Sequence, residues 1–177
     1  MGAEPLFSPT FSQDRTRFLG LGGAVARCVE AVCSRVLSGL STRRFSLAVS
    51  PSFASDRRIA ATDGSSLYLS RDGGTNYEHV AHPFAEDITA LAFDNRGRLF
   101  AAAFSVLLSG EFRGGLAVTS DYGRTWRMLG DDSTPFAAGV VAVTPLPDGR
   151  ILAAPQGHGG LWCSVDDGAT WHPRCPA

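Results

Sequence analysis

The chain has 177 residues, 44 % apolar and 19 % charged, which suits one compact domain or a few small repeated units and excludes wholesale disorder. All 16 of its strong cations are arginines, they face 17 carboxylates, and the formal net charge of −1 leaves no field for non-specific nucleic-acid binding. No apolar run approaches the ~18 residues of a membrane-spanning helix, and Met1 to Phe11 lack the charged-then-apolar profile of a secretory signal; a soluble chain without membrane insertion is expected, its compartment open.

The 20 glycines and 10 prolines are spread along the chain with short apolar runs between them, which predicts many short strands. Near the start, Ser8-Pro9-Thr10-Phe11 followed by Asp14-Arg15 recurs as Ser50-Pro51-Ser52-Phe53 followed by Asp56-Arg57, an offset of 42 residues. An alternating strand over Phe45 to Val49 leads to Arg58-Ile59-Ala60-Ala61, then to a strand over Ser66 to Ser70, and then to the turn Ser70-Arg71-Asp72-Gly73-Gly74-Thr75-Asn76-Tyr77. The same succession follows twice. Strands over Ile88 to Phe93, Leu99 to Ala102 and Gly115 to Thr119 precede Thr119-Ser120-Asp121-Tyr122-Gly123-Arg124-Thr125-Trp126, and strands over Val140 to Thr144, Ile151 to Ala154 and Gly160 to Ser164 precede Ser164-Val165-Asp166-Asp167-Gly168-Ala169-Thr170-Trp171.

The common frame is hydroxyl, any, Asp, any, Gly, any, polar, aromatic. It reads as a hairpin turn: the carboxylate accepts nearby backbone N–H groups, the glycine takes positive φ without steric cost, and the aromatic leaves on the next strand. Each unit predicts four antiparallel strands of about 5 residues, the blade of a β-propeller. The whole chain, residues 1–177, is then a single all-β domain of four repeats spanning 5–38, 45–80, 87–129 and 139–175.

The first repeat is degenerate. At the 42-residue offset its turn falls on Cys28-Val29-Glu30-Ala31-Val32-Cys33-Ser34-Arg35, which has Glu at the Asp place but Val and Arg at the Gly and aromatic places. Two readings stand: an eroded blade, favoured by the unbroken register, and an amphipathic helix over residues 24–40, in which Val25, Val29, Val32, Val36 and Leu40 have helical spacing.

The three turns resemble the Asp-box, or BNR repeat, of sialidase-like and related β-propellers, and with the paired Ser-Pro-x-Phe-x-x-Asp-Arg stretches the resemblance runs from Phe7 to Cys175. It implies structural roles: Ser70, Asp72 and Gly74; Asp121, Gly123 and Thr125; and Ser164, Asp166, Gly168 and Thr170 would brace turns, with Tyr77, Trp126 and Trp171 packing behind them. Tyr77 departs from the usual Trp, and Asn76 replaces the usual Thr, which puts the tightness of that turn in question. Proteins sharing the box include sialidases, hydrolases of plant polysaccharides, sortilin-type receptors and photosystem assembly factors. The early Arg-Ile-Pro stretch of sialidases is missing, and Tyr68, Tyr77 and Tyr122 all lie in or next to boxes, so no sialidase activity is expected.

The resemblance puts the boxes at one end of each blade, and binding is expected on the opposite face, from the second-to-third loops and the links between blades. The candidates are His82 and Phe84 in one link, Asp131, Asp132 and Phe136 in the next, Glu111, Phe112 and Arg113 in a long third-repeat loop, and His158 in the fourth. Together they suit a protein or carbohydrate ligand. Glu111 with Asp131 or Asp132 is the one pair that could serve as glycosidase carboxylates, in which case the chain would be part of a carbohydrate-active hydrolase. No metal or cofactor is expected: His79 and His82 lack a third ligand, and Cys28, Cys33, Cys163 and Cys175 lack zinc spacing. A Cys163–Cys175 disulfide is geometrically conceivable, with reduced buried thiols the competing reading. Four blades lie near the lower limit for a ring, so an open arc that pairs with a second copy or continues into further blades is the expected closure.

Overall fold

The computed structural model describes residues 5–41, 44–130, 134–157 and 159–175. Strands β1 (Leu6–Phe7), β2 (Thr16–Leu21), β3 (Ala24–Val29) and β4 (Val32–Ser38) form the first sheet, and β5 (Ser46–Val49), β6 (Ile59–Thr62), β7 (Leu67–Ser70) and β8 (Glu78–Val80) the second. The third holds β9 (Ile88–Phe93), β10 (Leu99–Val106), β11 (Phe112–Thr119) and β12 (Arg127–Leu129); the fourth holds β13 (Val140–Pro145), β14 (Ile151–Pro155) and β15 (Trp162–Ser164), with its outer strand reduced to a bridge between Cys163 and His172. Every sheet is a sequential antiparallel meander, and the four are successive blades of a partial β-propeller.

Residues 24–40 fold as a hairpin, not a helix. Val29 pairs with Val32, so Glu30-Ala31 is a two-residue turn in which Glu30 takes φ 53°, and Cys28 pairs with Cys33 directly behind it. Those two cysteines form a disulfide, with Cα atoms 4.0 Å apart. The helical spacing of the valines competes with their β-branched preference for a pleated surface, and the partner strand β2 decides in favour of the strand.

Blades meet face to face, and the core lies in the seams. One cluster joins the first two blades through Phe18, Phe53 and Ile59, a second joins blades two and three through Leu67, Leu69, Phe93 and Leu99, and a third joins blades three and four through Phe100, Leu116, Val118 and Ile151. Among the described residues no core cluster joins blade four to blade one, so the arc is open.

The seams explain the glycine of the repeated turn. Gly74, Gly123 and Gly168 have φ of 81°, 83° and 84°, and a Cβ added there would lie 2.6 Å from Phe18, 3.3 Å from Leu69 and 2.9 Å from Leu129. Each of these three neighbours belongs to the preceding blade, so the glycine provides both the left-handed backbone and a seat for the neighbouring blade's side chain. The residue after the Asp is also gripped across the seam. Arg98 of blade three reaches Asp167 at 2.9 Å, and Arg58 of blade two lies over the Tyr122 ring at 5.2 Å while the Tyr122 hydroxyl donates to the Ser70 carbonyl.

Candidate functional face

The repeated turns close as self-contained hydrogen-bond circuits. In blade four, Ser164 Oγ accepts the Gly168 N–H at 2.8 Å and donates to Asp166 Oδ1 at 2.8 Å; that carboxylate then accepts the Thr170 N–H at 2.9 Å and the Thr170 hydroxyl at 2.5 Å. Blade three repeats this circuit with Thr119, Asp121, Gly123 and Thr125. In blade two Asn76 does not loosen the turn: its side-chain amide donates to Asp72 Oδ2 at 2.7 Å and its backbone N–H to Oδ1 at 3.0 Å, so the amide does the work of the threonine hydroxyl.

These bonds set the acidity of the carboxyls. The Thr170 hydroxyl and N–H and the Ser164 hydroxyl hold Asp166 at about 2, and the Thr125 hydroxyl and N–H hold Asp121 at about 2. At Asp72 burial pushes upward but is outweighed by the Asn76 and Ser70 bonds, again giving about 2. Carboxylates so fully engaged and so acidic are braces, unsuited to proton transfer near neutral pH. The aromatics behind them differ in use: Trp171 is buried, edge-on to Phe136 at 4.8 Å, whereas the half-buried Trp126 donates its indole N–H to the Ala81 carbonyl at 3.0 Å.

At the opposite ends of the blades, the first-to-second link, the β6–β7 loop and the second-to-third link converge. They line a concavity of about 270 Å³ with Ser41, Asp63, Ser65 and Asp87. Asp63 is buried, accepting the Ser41 and Ser66 N–H groups at 2.9 Å each. Asp87 stays half-exposed, 3.6 Å from Arg44, whose guanidinium also lies over the Phe104 ring. Gly64 permits the convergence, since its Cβ would lie 3.3 Å from Arg44 and 3.4 Å from Asp87. Among the described residues the rim is therefore a set of hydroxyls and carboxylates with the Arg44 guanidinium beside them.

Of the residues expected on this face, His82 joins the cluster, with Nε2 3.1 Å from the Ser65 carbonyl. Phe84 and Phe136 do not serve as exposed anchors. Both are core residues, 8 % and 2 % exposed, because their links turn inward to fill the seams: Phe84 lies over Gly115, and Phe136 packs against Trp171 and Trp162. Glu111 and Arg113 are exposed and 3.8 Å apart on the long β10–β11 hairpin that the third-repeat insertion builds. Asp131, Asp132 and His158, and the side chain of Phe112, lie outside the described residues, so the pairing of Glu111 with Asp131 or Asp132 is not assembled among them. Ser41, Arg44 and Asp87 come from links between blades and meet only through the packing, whereas Asp63 belongs to the Asp63-Gly64-Ser65-Ser66 turn, which is the one local signal for this cluster in the sequence.

Both cysteine pairs are oxidised, which overturns the reduced-thiol alternative: Cys163 is joined to Cys175, with Cα atoms 5.0 Å apart, as Cys28 is to Cys33. Cys28 and Cys33 had no visible reason to pair while residues 24–40 were open to a helical reading; as a cross-strand pair they face each other.

No family model matches the chain. A probable oligoxyloglucan-reducing end-specific xyloglucanase of Neosartorya fischeri is 27 % identical over 120 residues, which is 64 % of this chain and 15 % of that protein. Among solved structures, the β-propeller domain of Myceliophteria thermophila Cps50 (Swd1) superposes with a TM-score of 0.65 at 16 % identity, covering 98 % of this chain and 55 % of that one. YCF48 bound to D1 peptide gives a TM-score of 0.61 at 20 % identity, covering 89 % and 49 %. The chain thus spans about half of these structures and a smaller part of the xyloglucanase, and at these identities the shared property is the propeller fold.

Proposed function

We propose that the chain is a non-catalytic Asp-box (BNR) propeller module that binds or scaffolds a protein or carbohydrate ligand on the face opposite its boxes. The observation that carries this reading is the division of labour among the carboxylates. The turn carboxylates Asp72, Asp121 and Asp166 are held down by their hydrogen bonds and serve as braces, whereas Asp63 and Asp87 line the concavity at the opposite ends of the blades. The polar cluster of Ser41, Asp63, Ser65, His82 and Asp87 offers fixed donors and acceptors, the arrangement of a recognition surface. Two disulfides among the described cysteines fit a module working in an oxidising compartment.

The second reading, part of a carbohydrate-active hydrolase, is favoured by the 27 % identity to a probable xyloglucanase. Calorimetric titration with xyloglucan oligosaccharides, run beside a reducing-end assay, separates the two. The module reading expects no release of reducing ends, and binding of that sugar or of a peptide that weakens on Asp87→Ala. Release of reducing ends that is abolished by substituting one carboxylate would establish the hydrolase instead.

A further inference from the structure

Two internal seams carry a pocket at the same place, beside the repeated turn, and the two pockets differ in charge. Counted from the turn, Leu69, Arg71, Asn76 and Glu78 of blade two hold the places of Val118, Ser120, Thr125 and Arg127 of blade three. The blade-two set lines a pocket of about 140 Å³ together with Asp72, and the blade-three set lines one of about 280 Å³ together with Arg98 and Trp126. In the smaller pocket two carboxylates stand with one guanidinium, and that guanidinium is engaged: Arg71 lies over the Tyr122 ring at 4.3 Å and 4.0 Å from Glu78. The larger pocket is lined by two guanidiniums, two hydroxyls and no carboxylate.

The cations of the larger pocket are held in place and still have donors to offer. Arg98, with 16 % of its side chain exposed, donates Nε to Asp94 at 2.7 Å and Nη2 to Asp167 at 2.9 Å, which fixes its fork and leaves Nη1 without a partner among the described residues. Arg127 donates Nη2 to the Asp167 carbonyl at 2.8 Å and keeps its Nε and Nη1 hydrogens. Ser120 is exposed, and its hydroxyl makes no bond among the described residues. The surrounding carboxylates are turned elsewhere: Asp94 to the Arg96 and Arg98 N–H groups and the Arg98 side chain, Asp167 to Arg96 and Arg98, and Asp121 to Thr119 and Thr125.

We propose that this pocket, at the outer end of the seam between blades three and four, binds an oxyanion group: a carboxylate, phosphate or sulfate, free or as the acidic end of a larger ligand. A guanidinium already fixed by two bonds loses little freedom when it takes a third, and charge-assisted bonds to oxygen are the strong ones. The buried Val118 forms an apolar wall that limits competition from water. Only the replacement of Glu78 and Arg71 by Arg127 and Ser120 separates this pocket from its blade-two counterpart in charge at those two places. The site lies on the box face, apart from the ligand face proposed above, and stands without it.

Amide NMR of the disulfide-intact chain tests it, by titration with sodium phosphate, sulfate or glucuronate at constant ionic strength with chloride as the balancing salt. Saturable shifts are expected at the Ser120, Thr125 and Arg127 amides. Ser120→Asp, which puts a carboxylate into the pocket from an exposed position, and Arg127→Glu should each weaken binding by at least about tenfold, while Arg35→Glu, the same charge change on the exposed outer strand of blade one, should leave it unchanged. Circular dichroism melts confirm that each variant folds. Tighter binding of glucuronate assigns a carboxylate ligand and tighter binding of phosphate or sulfate a tetrahedral one, and both support the site. Absence of saturable shifts with all three anions overturns the proposal, as does binding indifferent to Ser120→Asp and Arg127→Glu or equally weakened by Arg35→Glu.

Discussion

The outer turn of blade one and the outer turns of blades two to four close the same hairpin by different chemistry. In blade one the turn is two residues long and a cross-strand Cys28–Cys33 disulfide locks it; in the others a seven-residue loop is locked by a carboxylate that accepts several N–H and O–H groups. The longer loop also receives the preceding blade, through its glycine seat and, in blades three and four, through the grip on Tyr122 or Asp167. Among the described residues no blade packs behind blade one, and there Val32 occupies the glycine place, 73 % exposed. The glycine-bearing turn is found at each of the three seams among the described residues.

The largest effect should come from the Cys163–Cys175 lock, with the Cys28–Cys33 lock comparable to the glycine seat. By loop entropy, Cys163→Ser/Cys175→Ser should cost about 3 kcal/mol and Cys28→Ser/Cys33→Ser about 2 kcal/mol. Urea melts of the oxidised proteins measure both, and values near zero would mean the hairpins are held by their strands alone. Next comes the seat. Gly168→Ala meets both an unfavourable φ and Leu129, and should cost about 2–3 kcal/mol. Gly110→Ala has φ 83° with open space around it and should cost about 1 kcal/mol, so the difference isolates the seam.

A buried hydroxyl gives a smaller effect. Ser164→Ala leaves the Gly168 N–H without its acceptor and should lower stability by about 1–2 kcal/mol, whereas the exposed Ser34, at the polar place of blade one's turn, should tolerate alanine within about 0.5 kcal/mol. The smallest effect is acid sensitivity. Asp72, Asp121 and Asp166 lie near 2 when folded against an ordinary 3.8, so their stabilisation is complete above about pH 4 and is lost as pH falls through 2. Urea midpoints between pH 5 and pH 2 should decline less steeply in Asp121→Asn/Asp166→Asn than in wild type; equal slopes would show that these carboxylates do not carry the acid response.

The sequence by itself determined the repeated blades and the chemistry of their turns, because a turn's bonds span few residues. Asp166 finds Ser164 and Thr170 within one short stretch, and the same is true of Asp121 and Asp72. Alternation likewise marked β5, β9 and β13 before any partner was known. For residues 24–40 the 42-residue register favours a strand while the valine spacing also allows a helix, since short apolar runs satisfy both periodicities, and the pairing with β2 makes them strands. What only the tertiary structure decided was which loops turn inward. Phe84 and Phe136 look like surface aromatics in proline-bearing links, and their burial depends on seams whose other sides lie tens of residues away. The cluster of Ser41, Asp63, Ser65 and Asp87 and the cross-seam grip of Arg98 on Asp167 have the same origin, for such contacts follow from how one blade leans on the next and leave no periodic trace in the chain.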